Sequence, residues 1–232
     1  MDKSAPPPHK TEKRQSIRDL KHNSTIPHNI NPHNINPMSL LDAKKRSFNK
    51  AYGMNMVKIF SGDWGVSNKH DEMFSTILGS CVSACVHDPV AKIGGMNHFL
   101  LPHDGEGRDA GESARYGVYA MEILINAMMK AGGQKHRFEF KLFGGGNVIN
   151  HSAKIGSKNA RFVRNFMRDE GYRVISEDLE GEQPRSLHYY PTTGKVMMRK
   201  LQRKEDFVII EEERKYEKRL TTKQIEGDIE LF

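Results

Sequence analysis

The chain has 232 residues, 37% of them hydrophobic, and a mean hydropathy of −0.67, enough for one domain with a real core plus unstructured ends. Two cysteines, Cys81 and Cys85, are too few for a secreted disulfide scaffold, the start MDKSAPPPHK has no apolar signal core, and no apolar run nears the ~20 residues of a membrane span, so a cytoplasmic protein without membrane insertion is expected. The net charge of +7 invites a nucleic-acid reading, but ten Lys/Arg against four Asp/Glu fall in residues 1–50, the body is nearly neutral, and no nucleic-acid partner is expected.

Residues 1–50 also hold six of the ten prolines and a tandem HNINP at 28–32 and 33–37, which reads as a disordered basic arm. A folded body follows over 51–203. Met56 to Phe60 reads as a strand. Phe74 to His87 reads as strand, tight turn at Gly79-Ser80, strand, ended by Asp88-Pro89. Lys92 to Leu101 is the next strand, and its Gly94-Gly95 pair suggests a close backbone approach. Glu112 to Ala131 is a helix, with Ala114, Val118, Met121, Leu124, Ile125, Met128 and Met129 on one side. Phe138 to Phe143 is a strand leaving through Gly144-Gly145-Gly146. Lys158 to Glu170 is a second helix, carrying Phe162, Val163, Phe166 and Met167. Tyr172 to Glu177 is a strand, and Leu187 to Pro191 with Lys195 to Leu201 reads as a hairpin. The end, 204–232, is a charged helix or tail. The expected class is α/β, a layered sandwich of mixed β-sheet with helices packed outside.

Chemistry could sit at Cys81. It follows the Gly79-Ser80 turn at a strand end, where backbone N–H groups could hold an oxyanion. A thiol of pKa ~8.5 needs a base to act as nucleophile at neutral pH. His98, on the next strand, can meet it if the strands pair ~4.8 Å apart. A third group must hold the imidazole tautomer. Ser75 and Thr76 both offer a hydroxyl, and because side chains alternate only one faces inward. A zinc site from Cys81, Cys85, His87, His98 and His103 is disfavoured. On a strand Cys81 and Cys85 lie ~13 Å apart, too far for one ion or a disulfide.

Taken in order, Thr76-Ile77-Leu78-Gly79-Ser80-Cys81-Val82, His87-Asp88-Pro89 and Gly94-Gly95-Met96-Asn97-His98-Phe99-Leu100-Leu101-Pro102 resemble the signature of the CheD family. Ala114-Arg115-Tyr116-Gly117, Lys141 to Gly146, Ile155-Gly156-Ser157-Lys158-Asn159, Asp178-Leu179, Arg185 and Thr193-Gly194-Lys195-Val196 continue the likeness over residues 52–203. The resemblance implies a glutamine deamidase of methyl-accepting chemotaxis receptors working without metal or organic cofactor. It implies Cys81 as nucleophile, His98 as base, Thr76 as the hydroxyl with Ser75 as the alternative, and Gly79-Ser80 as the oxyanion turn. CheC is an implied partner and methyl-ester hydrolysis an implied side activity. A non-catalytic adaptor binding receptor or CheC is the competing expectation.

Overall fold

The computed structural model describes residues 46–101, 110–148 and 153–202; the expected arm up to residue 45 and the tail from 204 lie outside them. The end of the expected arm, 1–50, overlaps the first strand. Arg46–Asn49 form a strand, β1, paired antiparallel with β2 (Met54–Lys58). Then follow β3 (Trp64–Ser67), β4 (Glu72–Leu78), β5 (Val82–Asp88) and β6 (Ile93–Asn97). Helix α1 (Ala110–Lys130) leads to β7 (Glu139–Gly144), and helix α2 (Ala153–Asp169) to β8 (Arg173–Leu179), β9 (Arg185–Tyr190) and β10 (Lys195–Lys200). β1 and β3, at four residues each, are too short to show a period in the sequence.

The strands form two five-stranded mixed sheets, ordered β1-β2-β4-β9-β10 and β3-β6-β5-β7-β8. Val57, Phe74, Leu78 and Leu187 of the first sheet meet Cys85, Met96 and Phe143 of the second in one buried layer. Met121, Leu124, Ile125 and Met128 of α1 and Val163, Phe166 and Met167 of α2 cover the outer face of the second sheet. The result is the expected α/β layered sandwich, with both helices on one side. Met129 departs from its expected place. It is 40% exposed, because Ala127 and Met128 take the inward arc of that turn.

The two glycines of β6 explain how the middle layer is squeezed from both faces. A Cβ on Gly94 would overlap Pro191 and the Tyr189 hydroxyl, and one on Gly95 would lie 2.8 Å from Leu124 Cδ1 of α1. Alternation sends the two missing side chains to opposite faces. At the far end of β5, fully buried Asp88 accepts the N–H groups of Val90 and Ala91, 3.0 Å each, and of Gln134, 2.9 Å. Arg137 closes the set at 2.7 Å. Those bonds hold the Asp88 carboxyl well below the usual carboxylate range despite burial.

Candidate active site

The chain crosses from the first sheet to the second through Gly79-Ser80-Cys81, between β4 and β5. Cys81 therefore sits at one end of the inter-sheet layer, fully buried. Val82 and Phe99 exchange two backbone hydrogen bonds of 2.9 Å. In that antiparallel register His98, just past β6, is the diagonal same-face neighbour of Cys81, a spacing of ~7–8 Å between Cα atoms within reach of an imidazole. On β4, Phe74, Thr76 and Leu78 face inward, and Ser75 alternates to the outer face, half-buried. Thr76, not Ser75, is thus the hydroxyl beside the histidine, with Oγ1 2.8 Å from His98 Nδ1.

The hydrogen bonds at Thr76 settle the imidazole tautomer. Thr76 Oγ1 donates its one proton to the Ile59 carbonyl at 2.6 Å. It can only accept from His98, so Nδ1 carries the proton; the same Ile59 carbonyl, an acceptor alone, lies 3.3 Å from Nδ1. Nε2 is left with its lone pair, and it is buried without a hydrogen-bond partner among the described residues. Burial lowers the His98 pKa to about 4, against the Ile59 carbonyl and Asp63, which raise it. The ring is therefore neutral near pH 7. The second thiol differs: burial pushes Cys85 up to about 12, so it stays protonated. Neither cysteine is in a disulfide.

Three donors hold the turn around Cys81. Gly145 N–H donates to the Cys81 carbonyl at 2.7 Å, and Gly146 N–H to that of Gly79 at 2.8 Å. Asn159 Nδ2, on α2, donates to the Ser80 carbonyl at 2.9 Å. Gly144 has φ +107°, and a Cβ there would overlap the Cys81 carbonyl oxygen. Only glycine allows that approach. The segment bearing His98 is pinned through Asn97, whose Oδ1 accepts from Ala84 N–H at 2.9 Å and whose Nδ2 donates to the Ala120 carbonyl of α1 at 3.1 Å. Ser61, half-buried between β2 and β3, places its hydroxyl 3.6 Å from Cys81 Sγ.

Cys81, His98, Thr76, Gly79 and Ser80 are brought together. Ser61, the Ile59 carbonyl, Asn159 and the contact of Gly144 to Gly146 with the turn were not anticipated. A glycine triplet after a strand was visible in sequence, but what it packs on was not. Asn159 is 79 residues from its partner and carries no local signal.

A buried thiol beside a neutral imidazole whose remote nitrogen is fixed by a hydroxyl is the equipment of thiol-dependent acyl-transfer enzymes. The family model "CheD chemotactic sensory transduction" matches residues 100–200. A Methylobacillus flagellatus protein named probable chemoreceptor glutamine deamidase CheD is 46% identical over 80% of this chain and 93% of its own. One of the same name from Rhodopseudomonas palustris is 42% identical over 90% of this chain and the whole of its own length. The chain belongs to the CheD family. A solved Neisseria meningitidis structure of family DUF152 aligns over 56% of this chain and 66% of its own at 9% identity, with a TM-score of 0.37, too loose to carry an argument. No helix among the described residues is long and apolar enough to cross a membrane.

Proposed function

We propose that this protein hydrolyses glutamine side-chain amides of chemotaxis receptors to glutamate, with Cys81 as nucleophile, His98 as general base and Thr76 as the group that orients His98. The supporting observation is the chain from Nδ1–H through Thr76 to the Ile59 carbonyl, which leaves buried Nε2 as a lone-pair acceptor. The relatives' names supply the substrate class.

Nε2 takes the proton of the Cys81 thiol as sulfur bonds the amide carbon and the carbonyl becomes an oxyanion. Backbone N–H groups of the Gly79-Ser80-Cys81 turn hold that charge. Collapse breaks the C–N bond, and the imidazolium proton leaves on ammonia. Water, deprotonated by Nε2, then splits the thioester, releasing glutamate and restoring the thiol. A glutamate methyl ester would follow the same path with methanol leaving. CheC is the second proposed partner, tested by co-purification.

Incubation with the cytoplasmic fragment of a cognate receptor tests the reading. Mass spectrometry should find the increase of an NH2-to-OH exchange at particular glutamines, absent with Cys81→Ala. Tight receptor binding with no mass change in the unsubstituted protein would favour a non-catalytic adaptor instead.

A further inference from the structure

We infer that Ser61 is a further catalytic residue, whose hydroxyl donates to Cys81 Sγ and steadies the charge on sulfur when the thiol gives up its proton; this rests on the reading of Cys81 as nucleophile. Ser61 Oγ lies 3.6 Å from Sγ. With a neutral thiol, either atom of that contact can be the donor. Once the thiol proton has passed to His98 Nε2, sulfur only accepts, and Ser61 must be the donor. The backbone holds the hydroxyl in place. Asp63 N–H donates to the Phe60 carbonyl at 2.9 Å and closes a four-residue turn with Ser61 and Gly62 at its corners. Gly62 has φ +87°, the left-handed value that the third position of a type II turn needs. The Asp63 carboxylate braces the turn by accepting Phe60 N–H at 3.1 Å.

The same turn is tied to the residue that carries the base. Gly62 N–H donates to the His98 carbonyl at 2.7 Å, and His98 N–H donates to the Asp63 carbonyl at 3.0 Å. One short segment, 59–63, therefore serves three groups of the site. The Ile59 carbonyl accepts from Thr76 Oγ1, the Ser61 hydroxyl meets Sγ, and the backbone of Gly62 and Asp63 brackets His98. Cys81 is fully buried, and a charge on a buried atom is costly unless donors meet it. In the proposed cycle sulfur carries charge twice. It is the attacking thiolate, and it is the group expelled when water splits the thioester. The Ser61 proton stays on Oγ throughout and is shared with sulfur at both moments. In the thioester between them sulfur is neutral and a weak acceptor. The bond is thus strongest where charge develops, which is the condition for it to speed the reaction.

The pH profile of Cys81 alkylation by iodoacetamide, read by peptide mapping so that Cys85 is counted apart, reports on the thiolate without any receptor. For Ser61→Ala its apparent pKa should rise by about one unit or more, the scale of a lost hydrogen bond to a charged group. On a receptor cytoplasmic fragment, kcat for deamidation should fall roughly 10-fold, with KM within about threefold of the unsubstituted protein. Ser61→Thr keeps the hydroxyl, and should bring the profile back to within about half a unit and kcat to within about threefold. The inference is overturned if Ser61→Ala leaves the alkylation profile where it was. It is equally overturned if Ser61→Thr moves the profile as far as Ser61→Ala does, because lost packing and not a lost donor is then the cause. An unsubstituted protein that leaves the receptor fragment unmodified, while its alkylation profile still moves with Ser61→Ala, would instead remove the deamidase reading and leave the donation from Ser61 to sulfur standing.

Discussion

At the scale of single residues, the proposed roles at the site separate cleanly under substitution. His98→Ala should lower turnover by roughly 10²–10⁴-fold, the range for losing a general base, with circular dichroism unchanged. Thr76→Val removes the acceptor at Nδ1 and leaves the ring only the longer contact to Ile59, so kcat should fall by about tenfold or more. Thr76→Ser should recover most of it. Ser75→Ala, on the outer face of β4, should stay within about twofold, the neutral behaviour of sites away from the chemistry. If Ser75→Ala were the damaging change, the inward assignment of Thr76 would be wrong. Peptide mapping after brief alkylation at pH 7 should find label on Cys81 before Cys85, whose pKa of about 12 leaves almost no thiolate.

At the scale of elements, the crossover turn is supported by backbone that tolerates no side chain. Gly144→Ala must place a Cβ against the Cys81 carbonyl at φ +107°. It should cost at least ~1–3 kcal/mol by urea denaturation, with a loss of activity beyond what the lost folded fraction explains. Gly53→Ala is the control. Its φ of +62° is also left-handed, but nothing lies within 4 Å of the added Cβ. It should cost ~1–2 kcal/mol, the left-handed penalty alone, and leave kcat intact. At the other end of β5, Asp88→Ala strands the Arg137 guanidinium and three backbone donors. A loss of ~3–5 kcal/mol in urea melts is expected, as for breaking a buried ion pair.

For the whole molecule, the titrations predict a loss of stability in acid that is separate from any loss of catalysis. His98 has a folded pKa of about 4, below the ~6.5 of an unfolded histidine. As pH falls, the unfolded chain therefore binds its proton first. Stability is full above pH ~6.5 and declines toward pH ~4, by roughly 3 kcal/mol from this group. Burial lowers His87 and His188 as well, adding in the same direction. Asp88, held low, adds its loss only below the unfolded carboxylate value of ~3.9. Urea midpoints taken from pH 7.5 to 5 should drop, and the slope should shrink in His98→Ala. Over the same range kcat/KM of the folded protein should hold nearly level, because Nε2 keeps its lone pair until about pH 4. An acid limb centred near pH 6.5 would mean that His98 is solvated.

The order of chemistry along the chain was legible without coordinates: Cys81 after Gly79-Ser80, His98 after Gly94-Gly95, and apolar faces on α1 and α2 periodic enough to mark both helices. Local pattern carries such features because turns and amphipathic faces are set by neighbours within a few residues. The choice between Thr76 and Ser75 needed the inward face of β4, which alternation leaves two-valued until the second sheet packs on it. Short strands β1 and β3 exist only through their partners β2 and β6. The Nδ1–H tautomer depends on the Ile59 carbonyl, 39 residues from His98, and the hold on the Ser80 peptide on Asn159, 79 residues away. Those contacts join segments that sequence separates, and only the closing of two sheets and a helix around one crossover brings them within hydrogen-bonding distance.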